Sequence, residues 1–262
     1  MPTSTPPRPD RSVAWELEPS GSSWLLRFRS TPEVAAHVFG ALPGGEPVRN
    51  LGNDRRWPYR VRLAAAPPAG LEDFFRLLGE VLVVPVEHES VDCLVALDHH
   101  LEPDGSARTE VAERLHLVKH RTGAPDEVDR AGQALCAALA EVVIRHEWYA
   151  RATSVLPVPG HDPERPAVSA LLGLALAHDL GLGLTPVTSP GRVRKQARLL
   201  TPRERVDLLG AFRVAGDLTG QTVLVVDDTH QSGYTMAGVA NAARRAGAVE
   251  VLGLTVTRNQ RR

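Results

Sequence analysis

The stretch Val223-Leu-Val-Val-Asp-Asp-Thr-His-Gln-Ser-Gly-Tyr-Thr235 decides the fold. Thr222–Val226 carries no polar side chain after Thr222, the pattern of a strand buried on both faces of a parallel sheet. That strand delivers two adjacent carboxylates, Asp227 and Asp228, at its C-terminal end, where open α/β sheets bind ligands. Thr229, His230, Gln231, Ser232, Gly233 and Tyr234 then make a turn, and an Ala-rich helix is predicted over Thr235–Arg245, stopping near Gly247. Successive amides of such a turn, with the positive end of the helix dipole, cradle an anion. Gly233 allows close approach of the backbone, and Ser232 and Thr235 add hydroxyl donors. The carboxylates accept from sugar hydroxyls and the turn donates to a phosphate, so a ribose 5-phosphate meets both demands.

Working outward, Val249–Thr257 reads as the next strand, which completes a βαβ unit with an expected right-handed crossover. Upstream, helical spacing runs over Glu127–Tyr149. A short strand, Ser154–Val158, leads into Pro157-Val158-Pro159, and a helix over Pro166–Leu180 ends at Gly181. Residues 188–207 are basic and read as irregular. Residues 111–262 are therefore expected to form an α/β domain, a parallel sheet flanked by helices.

Residues 12–110 are expected to form a smaller α+β module of unknown role. Strands are predicted at Val13–Leu17 and Trp24–Arg29, with a break over Glu18–Ser23 between them, and at Tyr59–Ala64. Helices are predicted at Thr31–Phe39 and Leu71–Leu78, loop over 41–56, β-type runs at Val81–Val86 and Val91–Leu97, and a polar turn at His99–Ala107. Residues 1–11 hold four prolines and no periodicity, and are expected to be a disordered tail.

Composition excludes several classes. The chain has 262 residues, 43% hydrophobic and 23% charged, an ordinary globular balance. Net charge is −1, which argues against a polybasic nucleic-acid tail. Charge is nonetheless uneven: residues 1–110 hold 11 basic and 16 acidic groups, residues 111–262 hold 19 and 15, so an anionic ligand is expected to meet the C-terminal part. Only Lys119 and Lys195 are lysines among 30 basic residues. Cys93 and Cys136 are too few for a zinc quartet or a disulfide scaffold, so a reducing, cytoplasmic setting is expected. No apolar run suits a bilayer and no secretory signal is visible, so no membrane partner is expected.

The twin-aspartate segment resembles the PRPP-binding motif of type I phosphoribosyltransferases: an apolar strand, two acidic residues, then a Ser-Gly-x-Thr loop. Its surroundings resemble the ComF branch. His116-Leu-Val-Lys119-His-Arg121-Thr-Gly123 is similar to that branch's opening segment, and Ser154-Val-Leu-Pro157-Val-Pro159 to its pyrophosphate-side strand and loop. Arg192-Val-Arg194-Lys-Gln196 and Leu208-Leu-Gly210-Ala-Phe212 resemble its basic hood, and Leu254-Thr-Val-Thr-Arg258 its closing strand. The likeness covers about residues 115–260. Three departures stand out: Gln231 where Thr is usual, Tyr234 where a small residue is common, and no four-cysteine zinc module in front.

The resemblance implies PRPP binding with Mg²⁺ held by Asp227 and Asp228, which are also the expected catalytic residues. Residues 229–235 would hold the 5-phosphate, and Pro157, Val158, Pro159, Arg194 and Lys195 would face pyrophosphate. Two readings follow. In one, the protein transfers ribose 5-phosphate to a nucleobase or other amine and releases pyrophosphate. In the other, it is a catalytically silent PRPP- or nucleotide-binding accessory protein in DNA uptake or repair, with single-stranded DNA machinery as its partner. A homo-oligomer is expected under either reading.

Plainer readings compete at each position. A lone Asp-Asp in a turn usually caps a helix, but the Ser-Gly-x-Thr sequel favours phosphate binding. Arg192–Arg205, with six basic residues and one Glu, reads equally as a solvated face or as a lid over pyrophosphate. Asp98-His99-His100 reads as a surface turn, and the His116/His120 pair lacks the Glu of a zinc-protease helix. The four tryptophans read as core or interface residues, and both cysteines as inert thiols.

Overall fold

The computed structural model describes residues 11, 13–42, 44–50, 54–162, 166–189, 195 and 199–259. Residues 1–10 of the expected tail over 1–11, and the hood residues 192, 194 and 196, lie outside the described residues. The chain divides into two compact units: Met1–Val83 with Ile144–Ala150, and Val84–Val143 with Arg151–Arg262.

In the first unit, β1 (Ala14–Ser20) and β2 (Ser23–Arg29) form a hairpin in register Ser20↔Ser23. The break predicted over Glu18–Ser23 is shorter in the structure: pairing runs to Ser20, and Gly21 takes the left-handed φ of +63° that a two-residue turn requires. Helix α1 (Pro32–Ala41) starts where Thr31 accepts the Val34 amide. β3 (Gly45–Pro47) lies in the segment read as loop, and pairs with β4 (Tyr59–Leu63), giving an antiparallel sheet in the order β1-β2-β4-β3. Helix α2 (Leu71–Leu78) buries Leu71, Phe74, Phe75 and Leu78, one helical stripe, in a core shared with Leu26, Phe28, Val34 and Val38. The short strand β5 (Leu82–Val83) ends this stretch.

The second unit is built on parallel strands. β6 (Cys93–His99), β7 (Ser154–Pro157), β8 (Gly183–Leu184), β11 (Thr222–His230) and β12 (Glu250–Arg258) lie in the order β6-β12-β11-β7-β8. A small antiparallel pair joins β9 (Val187–Thr188) to β10 (Arg213–Val214). The helices are α3 (Glu110–His120), α4 (Pro125–Arg145), α5 (Val168–Leu180), α6 (Pro202–Ala211) and α7 (Tyr234–Arg245).

Two boundaries differ from the sequence reading. The parallel unit starts at Val84 rather than at residue 111, because β12 needs a second neighbour and the upstream strand β6 supplies it, Leu254 facing Val95. Residues 202–207, read as irregular, belong to the helix Pro202–Ala211. Thr201 accepts the Glu204 amide, the Glu204 side chain accepts the Thr201 amide, and Pro202 opens the first turn. Among the described residues no helix is long and apolar enough to cross a membrane.

Candidate functional site

The site grows from the C-terminal end of β11. Strand pairing continues past Val226, with Asp227 facing Thr255 and Thr229 facing Thr257 on β12. The carboxylates are therefore held in extended backbone at the C-terminal end of an inner strand rather than in a free turn. Asp227 Oδ1 accepts the Asp228 amide at 2.8 Å, which orients the first carboxylate. Asp228 Oδ2 accepts from Lys119 Nζ at 2.8 Å, with the carboxylate 18% and the lysine 44% exposed. The Thr257 hydroxyl donates to Thr229 Oγ1 at 3.3 Å, and the His230 carbonyl accepts the Asn259 amide at 2.8 Å.

The turn then closes tightly. Gln231 is exposed and Ser232 is buried. Gly233 has φ +72° and ψ −20°, left-handed backbone that favours glycine, and it serves as the N-cap of α7 without any side-chain capping bond. Its carbonyl accepts the Ala237 amide, the first helical bond. The amides of the helix's first turn thus have no capping side chain, the arrangement that suits a bound anion. Tyr234 turns its ring edge-on to His88, with centroids 4.8 Å apart, and Thr235 is half-buried. The cavity between Val86, His88, Val91, Gly233 and Met236 holds about 10 Å³, too small for a substrate, so packed side chains back the turn there.

On the neighbouring strand, Pro157 pairs with Val226, and the Val158 amide donates to the Val226 carbonyl at 2.8 Å. Ser169 Oγ donates to the Val158 carbonyl at 2.6 Å, which fixes the exit of the chain into Pro159. The Pro157–Pro159 loop is therefore brought beside the twin aspartates. Lys195 is instead drawn to α6: its ammonium lies 2.7 Å from Glu204 Oε1. That contact, with the Thr201 bonds, brings the Glu204 carboxyl down to about 2. Arg194 lies outside the described residues.

The sequence reading missed Lys119 as a site residue, although it is one of only two lysines. Nothing in its local spacing announces a partner 109 positions away. Among the described residues no three His, Cys, Asp or Glu side chains gather to hold a metal. Two adjacent carboxylates fit Mg²⁺, which takes few protein ligands and shares the rest of its shell with water and phosphate. They do not make a resident cage.

No known family's sequence profile matches the chain, and no curated protein matches it. Similar solved structures include the purine phosphoribosyltransferase of Pyrococcus horikoshii, with 22% identity over 52% of this chain and 85% of that one, at a TM-score of 0.32. The adenine phosphoribosyltransferase of Saccharomyces cerevisiae shows 16% identity over 72% and 89%, at 0.35. The orotate phosphoribosyltransferase of Mycobacterium tuberculosis shows 25% identity over 61% and 82%, at 0.30. The strand order β6-β12-β11-β7-β8 defines the fold of this unit.

Proposed function

We propose that the protein is a phosphoribosyltransferase that binds PRPP and transfers ribose 5-phosphate to a nitrogenous acceptor, working as a soluble cytoplasmic enzyme. The observation that carries this reading is the junction of β11 and α7. Twin carboxylates stand at the end of a parallel strand, and a left-handed glycine opens a helix with no side-chain cap immediately after them.

In this reading Asp227 and Asp228 accept from the 2- and 3-hydroxyls of the ribose. Amides of residues 230–234, with the hydroxyls of Ser232 and Thr235, hold the 5-phosphate. The Pro157–Pro159 loop faces pyrophosphate, and Lys195 and Arg194 lie in the basic segment that would cover it. Mg²⁺ bound with PRPP, held by Asp227 and Asp228, would supply positive charge to the pyrophosphate and hydroxyl oxygens. The C1–O bond breaks, pyrophosphate leaves with the electron pair, and a C–N bond forms to the acceptor, whose N–H proton, where it has one, passes to the departing pyrophosphate or to water. The carboxylates stabilise positive charge developing on the ribose ring. Placement of the acceptor does the remaining work, so the motif needs no dedicated general base.

The test is calorimetric titration of the full chain with PRPP and Mg²⁺, followed by measurement of pyrophosphate release with amine and nucleobase acceptors. Wild-type protein should bind, and the double variant Asp227→Asn, Asp228→Asn should not. Equal binding by both would remove the site. Binding without pyrophosphate release from any acceptor would leave a PRPP-binding module instead of an enzyme.

A further inference from the structure

A second cluster of chemistry lies beside the twin aspartates and has no part in the reading above. The C-terminal half of α3 carries His116, Lys119 and His120. The two imidazoles stand 4.5 Å apart between ring centroids, tilted by 50°. His100 follows β6 directly and is tied by its amide to the Arg258 carbonyl at 2.8 Å, while its side-chain Nδ1 is buried with no hydrogen-bond partner. Arg108 joins the group from the turn after β6 and reaches Glu113 on α3 at 3.3 Å. Five basic side chains thus gather against two acids, Glu113 and Asp228.

The charge state follows from that crowding. Partial burial first, then Arg108, Lys119 and His116, push the His100 imidazole below its ordinary range, against a weaker opposite pull from Glu113. His120 is lowered by desolvation, then by His116, Lys119 and Arg108. The imidazoles of His100 and His120 are therefore held back from protonation until negative charge arrives. A divalent cation does not fit the cluster. No third ligand joins the two helical histidines among the described residues, and Arg108 and Lys119 repel it.

Position decides what the anion belongs to. Helix α3 packs on β6 and β12, and β7 lies on the other side of β11. In the transfer reading the loop after β7 takes pyrophosphate, so the cluster sits across the twin aspartates from the leaving group. Displacement at a sugar carbon brings the nucleophile in opposite the leaving group. We propose that His100, Arg108, His116, Lys119 and His120 form a subsite for an acidic group on the acceptor, making the acceptor a nitrogenous heterocycle that bears a carboxylate. This rests on the phosphoribosyl-transfer reading. Lys119 connects the two sites: it neutralises Asp228 when no metal is bound, and turns to the acceptor's carboxylate when metal takes Asp228.

Matched probes test this on the full chain, free and loaded with PRPP and Mg²⁺. Nicotinate and nicotinamide share a ring and differ in charge, as orotate and uracil do. Each pair is titrated by calorimetry at pH 6 and pH 8 against wild type and the variant His116→Gln, His120→Gln. The acid of each pair should bind about tenfold more tightly than its neutral analogue at pH 6, the effect of one charge-assisted contact. Anion binding draws protons onto His100 and His120, so this preference should shrink at pH 8, and at pH 6 it should fall severalfold in the variant, which keeps Arg108 and Lys119. Equal affinity for acid and analogue in wild type, or a preference untouched in the variant, overturns the subsite. Histidine-dependent binding of the acids without any PRPP binding would keep the anion site and defeat the transferase reading instead. PRPP binding with no preference for the acids would do the reverse.

Discussion

Lys119 Nζ lies 2.8 Å from Asp228 Oδ2, so the carboxylate that would meet a metal already holds a cation. A pair this exposed contributes little to folding, about 0–1 kcal/mol. Its consequence falls on binding, because any metal shared with substrate competes with an ammonium ion. Lys119→Gln should therefore lower the Mg²⁺ concentration needed for half-maximal PRPP binding, by roughly threefold at low salt and less at high salt, where screening weakens the competitor. Its melting temperature should stay within a few degrees of wild type. An unchanged Mg²⁺ requirement at low salt would show that the ion pair opens without cost.

Gly233 offers a sharper separation of binding from stability. Its φ of +72° strains any residue with a Cβ, at a cost of about 1–2 kcal/mol. The added atom would meet His230 Cε1 and His88 Cδ2 at 3.4 Å, ordinary contact distances, so the fold should survive. Gly233→Ala should lose about 1–2 kcal/mol in urea unfolding and lose most of its PRPP affinity, because the amides of the turn shift. A variant that keeps full affinity would mean that the phosphate is held elsewhere.

What the sequence made legible was local chemistry. The apolar run Val223–Val226 followed by two aspartates and Gly233 announced a buried strand and a turn into a helix, and β11 and α7 lie there. Helix α6 was legible too: Thr201-Pro-Arg-Glu204 is a capping box, but the surrounding arginines drew the reading toward an irregular basic segment. The place of β6 was not legible. Val91–Leu97 reads as a strand, yet nothing local says that its neighbour is β12, more than 150 positions later. Lys119 failed for the same reason, since its partner is set by how α3 packs on the sheet. Tyr234 looked like an obstacle to the turn, and the ring contact with His88 was invisible in one dimension.

The first unit should carry its own pH dependence. His37 Nε2 and His146 Nε2 lie 2.6 Å apart, both buried, with Phe74 and Tyr149 packed on His146. The Trp148 amide donates to His146 Nδ1, so His146 carries its proton on Nε2 and donates it to His37. Protonating His37 would set two N–H groups against each other, and burial brings its pKa down to about 4 from 6.5. The unfolded chain then takes up the proton more readily, so stability is complete above pH 6.5 and falls as pH drops toward 4. The loss is about 3 kcal/mol, from 1.36 kcal/mol per pKa unit. Urea unfolding between pH 7.5 and 4 measures it. His37→Leu should flatten that slope, and a wild-type curve with no slope in this window would refute the assignment.

Helix α6 has to press closely on α7 to stand where it does. A Cβ at Gly238 would lie 2.2 Å from the Leu208 carbonyl oxygen and 2.7 Å from a Phe212 ring carbon, and backbone cannot rotate away as a flexible side chain can. Gly238→Ala should therefore force the two helices apart. The expected cost is about 1–3 kcal/mol despite alanine's better helix propensity, because overpacking outweighs the gain of about 1 kcal/mol that a helix interior gives for losing glycine. Thr201→Ala provides the comparison. It removes only the cap, at about 1 kcal/mol, and leaves the interface intact. Chemical denaturation of the two variants side by side should rank Gly238→Ala as the more damaging. Separation of α6 should also carry Arg213 and Val214 of β10 out of register with Thr188 and Val187, which amide hydrogen exchange would report as lost protection. If Gly238→Ala proves neutral or stabilising, then α6 rests on α7 loosely, and Lys195, paired with Glu204 on that helix, is free to move with it.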